Sequence, residues 1–342
     1  MIDGRAWLFW TACALVVASS TRNPLYVVIL LMTIAVVDLR CSVDDSRRLP
    51  LSTVRFGLIA MPLSGIFNAL TVHLGETTFF SLPRWIPLLG GPVTLEAFVF
   101  GVLNGLTLTT IFGGFSVFNR VLPARELIRL TPRAFHETGV VLSIALTFIP
   151  QAARSLRRIR EAQAVRGHRM RGLRDWPPVF VPLLISSLER SMGLAEAMVA
   201  RGYGAVSDRV QLVRTQILMV VGLITLLGGW IGWLLAPTGR LAATFALLTG
   251  GGLILGATWM AGQTVTHTSY RSRRWGWRET SVVLGSAFAL AVFLLPLPGI
   301  GRDTFYYAPY PRLTLPGFDP LVGIAVLGLL VPARFGPQRE ML

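Results

Sequence analysis

Lysine is missing altogether, and all 32 basic residues of the chain are arginine. Biased codon usage accounts for such a preference, but the chemical consequence stands: no lysine can reach a nucleotide phosphate in a P-loop or form a Schiff base. A conventional ATPase centre is therefore excluded from this polypeptide. Acidic residues are scarce as well, 17 in all, which leaves a net charge of +15. Cysteine is limited to Cys13 and Cys41, which fall at opposite ends of the first helical pair and are too far apart to bridge. Neither suggests a metal or redox centre, and no cofactor is implied. The sequence also lacks a His-Glu-x-x-His zinc motif and a Gly-x-Ser-x-Gly nucleophile elbow.

What the chain has instead is apolar length. Of its 342 residues, 53% are hydrophobic and only 14% charged, with a mean hydropathy of +0.60. Several runs approach the ~20 residues that a bilayer crossing requires. Spans are expected near 6–20, 24–38, 56–74, 94–118, 213–235, 241–262, 279–297 and 319–333. The first run is read as a retained span, because no small-residue cleavage site follows it. The fold class is thus an all-α polytopic membrane protein of about eight transmembrane helices. Residues 1–118 form an N-terminal membrane part, 119–212 a basic central module, and 213–342 a C-terminal membrane part.

Arginine placement sets the orientation, since loops rich in arginine stay in the cytoplasm. The segment 39–55 carries Arg40, Arg47, Arg48 and Arg55, and 263–278 carries Arg271, Arg273, Arg274 and Arg278. Only Arg84 falls in 75–93, and only Arg302 and Arg312 in 298–318. The module and both termini are therefore expected in the cytoplasm of a cell-membrane protein, and the 75–93 loop outside, where Phe79, Phe80 and Trp85 suit an interfacial hairpin. The glycines at 228–229 and 250–252 lie within apolar spans, so they read as close-packing positions and not as a phosphate loop.

The module holds nearly half of the arginines, densest between Arg154 and Arg174. Three readings apply to such a face: anionic lipid headgroups, nucleic acid, or an acidic protein partner. Nucleic acid fits worst, because aromatic stacking positions and module signatures are missing. From Asn119 to Glu137 a Pro-broken stretch with Arg120, Arg125, Arg129 and Arg133 reads as an amphipathic interfacial helix closed by Thr131 and Pro132. The run 138–149 is too short to span by itself and is expected as an inner helix leading into the module.

Within the module one pattern occurs twice. Phe148, Ile149 and Pro150 precede Ser155, Leu156, Arg158, Glu161, Ala162, Arg166 and Gly167. Phe180, Val181 and Pro182 precede Ser187, Leu188, Arg190, Glu196, Ala197, Arg201 and Gly202. Each copy reads as a helix with its Pro near the start. Ala152, Leu156, Ile159 and Ala162 recur at helical spacing, as do Leu184, Leu188, Met192 and Ala195, so each helix is expected to bury one stripe. Gly167 and Gly202 can supply the left-handed turn that stops a helix, and arginine complements the negative end of its dipole. A single Arg-Gly means no more than a helix stop; two in matched contexts point to paired docking.

These residues resemble the two Ala-Arg-Gly signatures of the transmembrane T component of energy-coupling factor (ECF) transporters, ABC-superfamily importers of vitamins and metal ions. Ala164, Val165, Arg166 and Gly167 stand at the first signature, with Val165 in place of its Ala, and Ala200, Arg201 and Gly202 at the second. Phe148–Pro150 and Asn23-Pro24 also match, so the resemblance covers roughly 5–235. It implies two cytoplasmic coupling helices whose arginines dock on a pair of ABC ATPase subunits. It also implies a small substrate-binding membrane subunit as a third partner, and no catalysis by this chain. Beyond about Leu241 the chain extends past what the family needs.

Two other classes remain open. A membrane-embedded transferase or hydrolase would draw on Asn68, His73, Glu96, Asn104 and His267, since ionisable groups at that depth are costly and usually functional. His136, Glu137 and His168 read as solvated neighbours of the basic face. A permease subunit of another ABC importer would need a ligand path of its own.

Overall fold

The computed structural model describes residues 2–41, 52–81, 83, 90–130, 136–167, 172, 175–203, 209–235, 240–263, 275–295 and 301–335. In chain order the helices are α1 (Gly4–Ser20), α2 (Pro24–Cys41), α3 (Thr53–Thr71), α4 (Leu95–Val121), α5 (Ala124–Arg129), α6 (His136–Val165), α7 (Pro177–Ala200), α8 (Arg209–Leu235), α9 (Arg240–Gln263), α10 (Trp277–Leu294), α11 (Pro320–Leu327) and α12 (Val331–Arg334). Strands β1 (Thr78–Ser81) and β2 (Pro92–Thr94) pair antiparallel between α3 and α4. This is the hairpin expected in the 75–93 loop, with Phe79 and Phe80 exposed on it. The protein is all-α and polytopic: among the described residues α2, α3, α4, α6, α8, α9 and α10 are long and apolar enough to cross a membrane. At 17 residues, α1 is slightly shorter, and the apolar segment Pro320–Arg334 is shorter still.

Backbone contacts divide the chain into two units, 1–126 with 271–342, and 127–270. In the first unit polar locks hold the helix ends. Buried Asn23 opens α2: its Nδ2 donates to the carbonyls of Thr304 and Gly317, both at 2.7 Å, and its Oδ1 accepts from the Leu25 N–H at 3.0 Å. Pro24 suits the first helical position, where no N–H is needed. Buried Trp10 of α1 donates through Nε1 to the Leu329 carbonyl at 2.8 Å. Tyr26 sits among Phe293, Phe305 and Phe318 at ring separations of 6.4, 6.3 and 5.7 Å. The C-terminal helices thus pack directly on α1 and α2.

The same contacts sort the helix ends of this unit into two sets. Asp3 meets Glu279, Cys41 meets the Pro332 carbonyl, and Asp38 of α2 pairs with Arg120 of α4 at 2.8 Å. At the opposite end, Thr21 and Asn23 meet residues 304–317, Glu76 pairs with Arg312 at 2.6 Å, and Asn68 reaches Tyr310. That segregation is the alternation expected from the arginine counts of the loops.

In the second unit α6 packs on α7 and α8 on α9. Of the glycines expected to permit close packing, Gly229 and Gly250 do so: a Cβ on Gly250 would stand 2.6 Å from the Leu226 nitrogen, and one on Gly229 2.9 Å from that of Leu247. Gly228, Gly251 and Gly252 face open space. Two expectations for the module change. Residues 138–149 are the first half of one continuous 30-residue helix, α6, so Pro150 lies mid-helix and not near a start. An interior proline persists where other groups re-satisfy the freed carbonyl, as is common in apolar surroundings. The amphipathic stretch after Asn119 is divided among the end of α4 and the six-residue α5, while Thr131, Pro132 and Arg133 lie outside the described residues.

Candidate functional site: two arginine-tipped helices

Both Arg-Gly signatures fall where a helix stops. Gly167 has φ +81° and Gly202 φ +78°, the left-handed region that glycine enters without penalty. After α7 the Gly202 N–H donates to the Val199 carbonyl at 2.9 Å and the Tyr203 N–H to that of Met198 at 3.0 Å. These are the paired bonds of a Schellman termination. After α6 the Gly167 N–H makes the corresponding bond to Ala164 at 3.0 Å. Each arginine is therefore the last residue before a fixed reversal of the chain. Arg166 and Arg201 are exposed, and among the described residues neither side chain has a hydrogen-bond or ionic partner. Val165, beside the first, is 89% exposed, so replacing Ala there costs no internal packing.

The helices run antiparallel. Gln163 near the end of α6 donates to the Pro178 carbonyl at the start of α7, at 3.3 Å. Arg190, well along α7, donates to Gln151 Oε1 and Ser155 Oγ of α6, each at 3.4 Å. Arg166 and Arg201 consequently lie at opposite ends of the pair, on the order of 35 Å apart at the helical rise of 1.5 Å per residue. The repeat had marked Arg190 only as a copy of Arg158; its bridging role follows from the antiparallel register.

The expected buried stripes are half right. Ala152, Leu156 and Ile159 of α6 are partly covered, on the side that carries Ser155 and Gln163 toward α7, whereas Ala162 is exposed. On α7 the expectation fails: Leu184, Leu188 and Met192 are exposed, Leu188 by 60%, and Ala195 with them. Buried Val179 and the half-buried Leu183, Ser186 and Leu194 lie on the Arg190 side, so the stripe faces away from α6. Helical periodicity identifies an apolar face but not what covers it.

Of the residues considered for intramembrane chemistry, Asn68 and Glu96 lie at the facing ends of α3 and α4, each hydrogen-bonded to backbone, and Asn104 is exposed on α4. Glu96 is buried at the start of α4, where its carboxylate accepts from the Thr77 hydroxyl at 2.8 Å and backbone N–H at 3.1 Å, tying the β1 approach to the helix N-terminus. His73 lies against Gly91. Asn68 donates to the Ala97 carbonyl at 2.5 Å. His168 and His267 lie outside the described residues. Among the described residues no group of three or more His, Cys, Asp or Glu is placed to hold a metal.

Sequence comparison places this geometry in a family. The cobalt transport protein family, CbiQ, matches residues 2–212, from α1 through the second Arg-Gly terminus. The energy-coupling factor transporter transmembrane protein EcfT of Bacillus selenitireducens is 30% identical over 230 residues, covering 61% of this chain and 81% of the relative. The EcfT of Listeria innocua is 36% identical over 116 residues, 31% of this chain and 44% of the relative. That of Exiguobacterium sibiricum is 39% identical over 83 residues, 22% of this chain and 32% of the relative. With several relatives the match spans about a third of their own length. Matched over more than half of its length, the chain belongs to the cobalt transport protein family and is an ECF-type transporter transmembrane component.

Proposed function

We propose that this chain is the scaffold that couples ATP hydrolysis by two cytoplasmic ABC ATPase subunits to movement of a small substrate-binding membrane subunit, in uptake of a vitamin or metal ion. The observation that carries the reading is the pair of exposed arginines, without side-chain partners among the described residues and each fixed by a left-handed glycine, at opposite ends of an antiparallel helix pair. Two docking points on the order of 35 Å apart suit two copies of one partner better than a single groove. Each guanidinium can hold a carboxylate or backbone carbonyls through parallel bonds, which a point charge does not reproduce. The outward apolar stripe of α7, Val181, Leu184, Ile185, Leu188 and Met192, offers the face on which the substrate-binding subunit would press. Motion of the docked tips would then tilt that subunit, with no catalytic residue supplied by this chain.

On this reading the arginine-rich ends face the cytoplasm. A full crossing by α6 would carry Arg154–Arg166 to the outside, against the positive-inside bias, so α6 lies along the inner face. Joint replacement of Arg166→Glu and Arg201→Glu tests the assignment. The protein should insert normally but lose copurification with its ATPases, and uptake with it. Undiminished ATP-dependent uptake by the double variant would refute the proposal.

A further inference from the structure

The arginines of α6 that precede its tip need a separate account. Between Thr138 and Ala153 the helix carries no charged side chain, and then Arg154, Arg157, Arg158 and Arg160 follow within seven residues. All four are exposed, and among the described residues none has a hydrogen-bonded or ionic side-chain partner. At helical spacing Arg154, Arg157 and Arg158 fall within about 100° of arc. Leu156, Ile159 and Gln163 lie on the other side, toward α7. The helix does not break where its composition changes: one rod passes from a membrane-compatible half to a basic half.

We infer that the Arg154–Arg157–Arg158 face of α6 binds the phosphate headgroups of anionic lipids. The position of the patch favours lipid over a soluble acidic partner, because it begins one turn after Ile149 and Pro150 on a helix whose first half is apolar, and on the proposed placement along the inner face its basic half lies at headgroup level. Basic residues immediately beside an apolar helix are attracted to an anionic leaflet, each worth about fivefold in affinity. Glu161 shares the face and reduces this attraction, so the three arginines together should give at least about tenfold. Such contacts would hold α6 in the membrane plane and leave Arg166 and Arg201 free for docking.

The full chain, purified in mild detergent and exchanged into nanodiscs of equimolar phosphatidylcholine and phosphatidylglycerol, provides the test, with native mass spectrometry counting the lipids that stay bound. The parent should retain phosphatidylglycerol in clear preference. The triple variant R154Q/R157Q/R158Q should lose about tenfold of that preference, whereas R154K/R157K/R158K should keep it, since the charge remains. A parent without preference, a Gln variant with the parental preference, or a Lys variant as impaired as the Gln variant overturns the inference. Unchanged lipid preference in the Gln variant with lost ATPase copurification also overturns it, and assigns the patch to a protein partner. No outcome depends on Arg166 or Arg201, so this inference can fail while the docking proposal stands.

Discussion

The two contact units of this chain hold their helices in different ways. In residues 1–126 with 271–342, Trp10, Tyr26, Leu30 and Leu329 are fully buried, and polar side chains such as Asn23 and Glu96 are satisfied inside. In residues 127–270, α7 buries Val179 alone and turns Phe180, Leu184, Leu188 and Met192 outward. Helices without water-driven association need specific hydrogen bonds and close packing to stay together. The first unit has such locks at both ends of its helices. Among the described residues the α6–α7 pair has three weak polar contacts and two well-formed termini, the pattern of an element completed by partners.

Substitutions can break that contrast, beginning with the largest expected effect. Reversing the charge of both tips, Arg166→Glu with Arg201→Glu, should lower uptake on the order of 100-fold or more while leaving thermal unfolding of the isolated chain unchanged, because on the proposed reading these charges act only in the complex. Asn23→Ala should do the reverse. It removes three hydrogen bonds and strands the Thr304 and Gly317 carbonyls, destabilising the isolated chain by about 3 kcal/mol, readable as a lower midpoint in a thermal scan in detergent. Gly202→Ala forces a side chain into φ +78° and should cost about 1 kcal/mol locally. Uptake should fall partially, with Gly202→Asn milder than Ala. Leu188→Ala should shift the midpoint of the isolated chain least, by less than about 0.5 kcal/mol, since its side chain is already exposed. Weakened copurification of the substrate-binding subunit by that same variant would sharpen the contrast; a large loss of stability in the isolated chain would erase it.

Much of this arrangement is legible in the residues. Apolar runs located the helices, turn glycines located both helix stops, and arginine counts separated the two ends of the first unit. Three things were hidden. The junction at Pro150 looked like a helix start because proline is a local breaker in water, yet α6 continues through it. The apolar stripe of α7 looked buried because periodicity is blind to whether the cover comes from the same chain. The C-terminal helices looked like an appendage, whereas Leu329 and Pro332 accept bonds from Trp10 and Cys41, some 300 positions earlier.

Sequence alone determined that the chain lives in a membrane, that it carries no lysine-based nucleotide chemistry, and that two matched helices end in arginine and glycine. Those properties depend on composition and on neighbours within a turn or two, where local sterics and hydropathy decide. Tertiary structure decided that the two arginines point to opposite ends of one pair, that α7 shows its apolar face outward, and that the C-terminal helices close on α1 and α2. Each is a contact between residues distant in the chain, and the free energy that selects it arises only once the helices meet.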